Sequence, residues 1–179
     1  DIGVAGVSEA MVGAGNFAAY LGNVSRLVVD LNRYAEEPGA IPAVSDGISI
    51  SGNEIGDDDR EHRINAYHRP YHNHLAQILA TTRPSLILSL HSFTPQLESR
   101  KNEQRPWEIG ILYNEQETAS KIAIGYLQTQ GLIVGDQLPY SGKLLNATMN
   151  RHADGNDIPQ IGVETRHDLG GDATGQARL

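Results

Sequence analysis

The chain has 179 residues, no cysteine, 39% hydrophobic and 20% charged residues, and a formal charge of −8 at pH 7. The acidic balance argues against nucleic acid or an anionic membrane as partner, because both need a basic face. The absence of cysteine excludes disulfides, thiolate zinc sites and a cysteine nucleophile.

This length is about one domain and buries roughly 68–75% of the unfolded surface, so one domain over 1–179 is expected. No stretch reads as a signal peptide and no apolar run approaches ~18 residues, which leads to the expectation of a soluble, cytoplasmic protein. The chain opens at Asp1 rather than Met, inside a helical pattern, and ends on "GQARL", another helical beginning. Further residues upstream, and a helix continuing downstream, are therefore expected.

In chain order, "GVAGVSEAMVGAG" spaces Val4, Val7, Ala10 and Met11 on one helical face, and Gly13 and Gly15 close it. "SRLVVDLN" reads as a strand ending in polar residues. Arg33 to Gly56 is rich in Gly, Pro, Ser and Asn and reads as a long ordered loop, a kind that tends to be functional. Asp57, Asp58 and Asp59 then favour a helix N-terminus ahead of "REHRINAYHRPYHNHLAQILATTR", with a break expected at Pro70. The strand "SLILSLHS", a loop to "RPW", the strand "EIGILYN", the helix "EQETASKIAIGYLQTQ", a strand near "LIVGD" and a last strand in "PQIGVETRHDL" complete the pattern. Such alternation predicts an α/β fold, three layers α/β/α around a mainly parallel or mixed sheet.

Ligands of open α/β sheets bind outside the carboxyl ends of strands. Asn32 and Arg33, His91, and Glu164 with Arg166 all stand at such ends, and period-2 alternation puts Glu164 and Arg166 on one face. A histidine, a carboxylate and arginines are most of what a zinc hydrolase uses: metal ligand, general base, oxyanion stabiliser and carboxylate fork. The same residues also admit a structural reading, a capped strand-end histidine beside an ion-paired Glu164–Arg166. His68 and His72 have the four-residue spacing of a zincin helix, but Arg69 holds the general-base position and Pro70 follows it. "GAGNFA" matches a dinucleotide pattern without following a strand, and "DDD" lacks calcium-loop spacing.

The stretches "SRLVVDLNR", "IPAVSDG" with its "GN", "RPYH", "SLHSFTP", "RPWEIGILYN", "PYSG" and "VETRHDL" resemble, in order, the N-formylglutamate amidohydrolase family, which is similar in fold to the zinc carboxypeptidases, a phosphorylase/hydrolase-like architecture. The resemblance implies that His91 binds one zinc ion and that Glu164 is the general base. It implies that Asn32 and Arg33 grip the substrate's α-carboxylate, and that Arg26 and Arg166 contact the oxyanion or a second carboxylate. The family's first metal-binding histidine lies in a segment with no counterpart here. Asp1 is a further candidate ligand, and His72 a candidate support behind the ligands. The activity implied is zinc-dependent hydrolysis of an N-acyl amino acid, most simply N-formyl-L-glutamate to formate and L-glutamate, in amino-acid metabolism. The alternatives are a carboxypeptidase-like hydrolase of a larger amide, with its acyl pocket built by the 33–56 loop and "PYSGKLLNATMN", and a metal-free module binding an amino-acid-like ligand.

Overall fold

β-Branched and aliphatic runs become strands where the alternation expects them. In the computed structural model these are β3 (Ile87–Phe93), β4 (Ile109–Leu112), β5 (Val134–Asp136) and β6 (Gln160–Arg166). The model describes residues 1–15, 17–143 and 146–178, with backbone only at 177 and 178. Asn16 of "GAGNFA", Leu144 and Leu145 of "PYSGKLLNATMN", and the terminal Leu179 lie outside the described residues. The structure groups into two compact units, one of Asp1–Leu21, Leu86–Leu144 and Pro159–Leu179, the other of Gly22–Ser85 and Leu145–Ile158.

The first unit holds a four-stranded sheet in the order β3-β6-β4-β5. β3 and β6 are parallel, as are β4 and β5, while β4 and β6 are antiparallel. The sheet is thus mixed. Ile109, Ile111 and Tyr113 of the β4 segment and Ile161 of β6 turn to one face, where they pack with Ile124 of α4 (Thr118–Thr129). Ala119, Ala123 and Leu127 join Ile124 on that side of α4, the i, i+4, i+8 stripe of a helix that covers a sheet. Helix α1 (Val4–Ala14) packs on β3 and on α6 (Ala173–Arg178). With Asp1, just ahead of α1, touching His91, helices lie on both faces.

The opposite face of the sheet carries Ser89, His91 and Phe93 beside Gly162, Glu164 and Arg166, since residues paired across a parallel ladder point the same way. Gly110 pairs with Glu164 from the other side. A Cβ at Gly110 would run into the Leu138 carbonyl oxygen, so this position has room only for glycine.

The second unit is built on helices. Helix α2 (Asp57–Arg63) starts on the three aspartates, which place negative charge in its first turn. It runs through a π-helical turn, Ile64–His68, into α3 (Arg69–Thr82). The break expected at Pro70 does not occur, because the proline falls in the first turn of α3 and the wider π turn precedes it. Helix α5 (Ala147–His152) packs against α3. Val29, Ala40, Ile41 and Ile64 form this unit's core.

"SRLVVDLN" is not a strand, and this corrects the sequence reading. Ser25 Oγ accepts the Leu27 amide, Asp30 Oδ1 accepts the Asn32 amide, and Val28 and Val29 donate back to the Ser25 carbonyl. Ser and Asp side chains that bond their own backbone stabilise turns against a ladder. The buried Val29 serves the helical core instead. Beyond it a short hairpin, β1 (Val44–Ser45) and β2 (Ile48–Ser49), turns on Asp46 and Gly47, both with positive φ, 49° and 78°.

Candidate active site

The β3–β6 register sets His91 directly opposite Glu164, with side chains on the same face of two strands that neighbour at about 4.8 Å. His91 Nδ1 lies 3.1 Å from Asp1 Oδ2 and its Nε2 lies 3.2 Å from Ser89 Oγ. An ionised carboxylate only accepts, so Nδ1 carries the proton and Nε2 takes the serine hydroxyl. Glu164 is buried at 9% exposure, and the glycine beside it on β4 leaves its carboxylate without a flanking side chain from that strand. Arg166 closes the row: its Nε donates to Asp168 Oδ1 at 2.9 Å and Nη1 to the Pro106 carbonyl at 3.2 Å. Four residues proposed from the sequence, Asp1, His91, Glu164 and Arg166, therefore gather in the first unit.

That unit also contains an arginine the sequence reading passed over. Arg105 is buried, with Nη1 at 3.0 Å from the Tyr140 hydroxyl and its guanidinium 5.1 Å from the centre of the same ring. Nη1 also lies 3.4 Å from the Thr94 carbonyl, three residues past His91. "RPW" and "PYSG" were visible as blocks, yet nothing in either says that they meet.

Arg26, Asn32, Arg33 and His72 belong to the second unit. Arg26 is exposed and ion-paired with Asp30 at 3.1 Å. Asn32 Oδ1 accepts the Thr148 amide in the first turn of α5, an N-terminal cap supplied from outside the helix. Arg33 Nη1 donates to the Asn32 carbonyl.

His72 is 2% exposed, with Nε2 at 3.0 Å from the Leu31 carbonyl and Nδ1 at 2.8 Å from His152 Nε2. A carbonyl oxygen only accepts, so His72 donates from Nε2, and its bare Nδ1 accepts from His152. Burial pushes the His72 imidazole down to about 3, and the nearby His68, His152 and Arg151 push the same way. Burial, then Arg151, also lowers His152. His72 is neutral and both of its ring nitrogens are bonded, Nε2 to the Leu31 carbonyl and Nδ1 to His152.

A catalytic zinc takes three protein ligands at about 2.0–2.2 Å. The 3.1 Å between His91 Nδ1 and Asp1 Oδ2 is a hydrogen-bond distance, and an ion held by both atoms would take the place of the Nδ1 proton. Among the described residues no group of three His, Cys, Asp or Glu side chains is placed to hold an ion, so the pair fits two positions of such a site and no more.

Against known proteins, the chain matches the family model described as N-formylglutamate amidohydrolase over residues 1–170. A search of curated proteins found no match. Among solved structures, a gene product of Agrobacterium tumefaciens superimposes with a TM-score of 0.84 at 26% identity, covering 99% of this chain and 71% of that one. The N-formylglutamate amidohydrolase of Ralstonia eutropha gives a TM-score of 0.50 at 22% identity over 68% of this chain and 51% of that one, a likeness of fold. The α/β fold, the ordered motifs and a family match spanning nearly all of the sequence agree: this chain belongs to the N-formylglutamate amidohydrolase family.

Proposed function

We propose that the chain hydrolyses the amide of an N-acyl amino acid, most simply N-formyl-L-glutamate to formate and L-glutamate. What supports this above all is the cross-strand pairing of His91 with Glu164 at the carboxyl ends of β3 and β6. Glu164 takes the proton of the attacking water as its oxygen adds to the acyl carbon, and returns a proton to the amine as the C–N bond breaks. Arg166, held by Asp168 and the Pro106 carbonyl, stabilises the oxyanion with its remaining N–H donors. The family resemblance assigns Asn32 and Arg33 to the α-carboxylate and Arg26 to a second carboxylate. Zinc dependence is part of the proposal: His91 and Asp1 are the residues that would help hold the ion, which when bound acidifies water.

Glu164→Gln keeps the shape of the side chain and removes the base. Turnover of N-formyl-L-glutamate should fall by about 10²–10⁴-fold with the thermal midpoint little changed. Near-normal turnover in that variant would sink the assignment. The zinc reading is checked separately, by metal analysis of the active protein and by loss and recovery of activity on chelation and zinc replacement.

A further inference from the structure

Arg105 carries a charge that the first unit does not compensate. The residue is 8% exposed, and among the described residues no carboxylate pairs with it. Its Nη1 goes to two neutral oxygens, the Tyr140 hydroxyl at 3.0 Å and the Thr94 carbonyl at 3.4 Å. A guanidinium is always protonated, and a buried charge is as a rule paired. The Nε and Nη2 nitrogens bond no described residue, and neither is among the enclosed side-chain atoms that lack a partner. That edge of the fork, the one that matches the two oxygens of a carboxylate, therefore stays within reach of a ligand.

Three contacts place this arginine at the carboxyl ends of the strands that bear the catalytic row. Thr94 stands three residues past His91, directly after β3. Pro106, next to Arg105 in the chain, accepts Arg166 Nη1 at the end of β6. Tyr140 follows Leu138 and Pro139, which lie where a Cβ on Gly110 would point, and Gly110 is the β4 partner of Glu164. The loop thus crosses the sheet face that carries Glu164. The Tyr140 ring, 5.1 Å below the guanidinium carbon, holds the plane of the fork.

We infer that Arg105, seated on Tyr140, is a carboxylate subsite beside the catalytic row, and that it sets the specificity for a substrate with a second carboxylate. The family resemblance gives Arg105 no role, and the residue it does assign to a second carboxylate, Arg26, is exposed and already paired with Asp30. A carboxylate distinct from the α-carboxylate has two sources, the amino-acid side chain and the far end of the acyl group. The inference rests on the proposed function only for the claim that the carboxylate belongs to an N-acyl amino acid.

Calorimetric titration of the whole protein with two matched pairs of hydrolysis products tests it: L-glutamate against L-glutamine for a side-chain carboxylate, and succinate against succinamate for one at the acyl end. Within each pair a carboxylate is exchanged for its amide and nothing else changes. One pair should show a preference of at least about tenfold for the acid, and that pair names the source. Arg105→Met should bring the same pair to parity. Arg105→Lys keeps the charge and loses the fork, so it should lower the preference without abolishing it, and it carries the test if the methionine variant does not fold. Parity of both pairs in the parent, or a preference that a folded variant retains in full, would overturn the inference. No turnover enters these titrations, so parity leaves the hydrolase standing, and normal turnover by Glu164→Gln leaves the subsite standing.

Discussion

His72 takes partners that the sequence did not announce. The sequence offered it as a support behind metal ligands, on its spacing from His68 and its place in "RPYH". In the fold it anchors the Leu31 carbonyl just ahead of Asn32 and Arg33, with His152 stacked on it, ring centres 5.1 Å apart. His152 lies eighty residues away in sequence, and no periodicity brings two isolated histidines together. The pairing has a pH signature. The unfolded chain protonates His72 near the ordinary 6.5, whereas the folded chain holds the proton off until about pH 3. Between those values the unfolded state binds the extra proton, so stability falls as pH falls, by up to about 1.4 kcal/mol per unit, and levels out below pH 3. Urea midpoints measured from pH 7 to pH 4 should show this slope, and His72→Phe should flatten it while lowering stability at pH 7. A slope unchanged in the variant would assign the effect to other groups.

At the level of elements, the strands and long helices were legible because each carries a single unbroken period. β3, β4, β6 and α4 announce themselves by which faces are apolar. "SRLVVDLN" has the composition of a strand, but Ser25 and Asp30 fold it into turns around Val29, and composition alone does not weigh those side-chain bonds against a ladder. The hairpin at Asp46–Gly47 had a readable signal, since Asp-Gly supplies the two positive-φ residues that a tight hairpin turn needs, and it went unread inside a loop rich in such residues. Two glycines give a paired test of the packing. Gly110→Ala puts a methyl against the Leu138 backbone, which no rotamer can relieve, and should cost about 1–3 kcal/mol and reduce turnover, because Gly110 is the β4 partner of Glu164. Gly125→Ala, inside α4 with nothing within 4 Å, should gain about 0.5–1 kcal/mol. Thermal denaturation of the two variants, with the parent, decides between this account and one in which both glycines are indifferent.

Across the whole molecule, the candidate catalytic row was legible because it lies on adjacent strands of one sheet, whereas a cavity of the second unit lined by Arg33, His68 and Arg151 was not, since its wall is drawn from three separated segments. The same unit shows how an irregular stretch is kept ordered. The turns and loop from Gly22 to Gly56 hold little regular structure, and their carbonyls need donors from elsewhere. Helix α2 supplies them. Arg60 Nη2 reaches the Ala35 and Glu37 carbonyls, each at 2.7 Å. Arg63 reaches the Val28 and Gly52 carbonyls and, at 2.6 Å, Asn53 Oδ1. Asn53 in turn donates to the Leu27 and Pro42 carbonyls. Arg63→Lys keeps the charge and loses the fork. Hydrogen exchange read by mass spectrometry should then show amides between 24 and 55 losing protection together, and a loss confined to the neighbours of Arg63 would contradict the shared anchoring.

The arginine anchors also fix an order of events. The segment before α2 leaves the ribosome first, yet the Arg60 and Arg63 donors to its Val28, Ala35 and Gly52 carbonyls arrive only when Asp57–Arg63 has coiled. The stretch that holds Asn32 and Arg33 therefore waits, in folding, for a helix that is made after it.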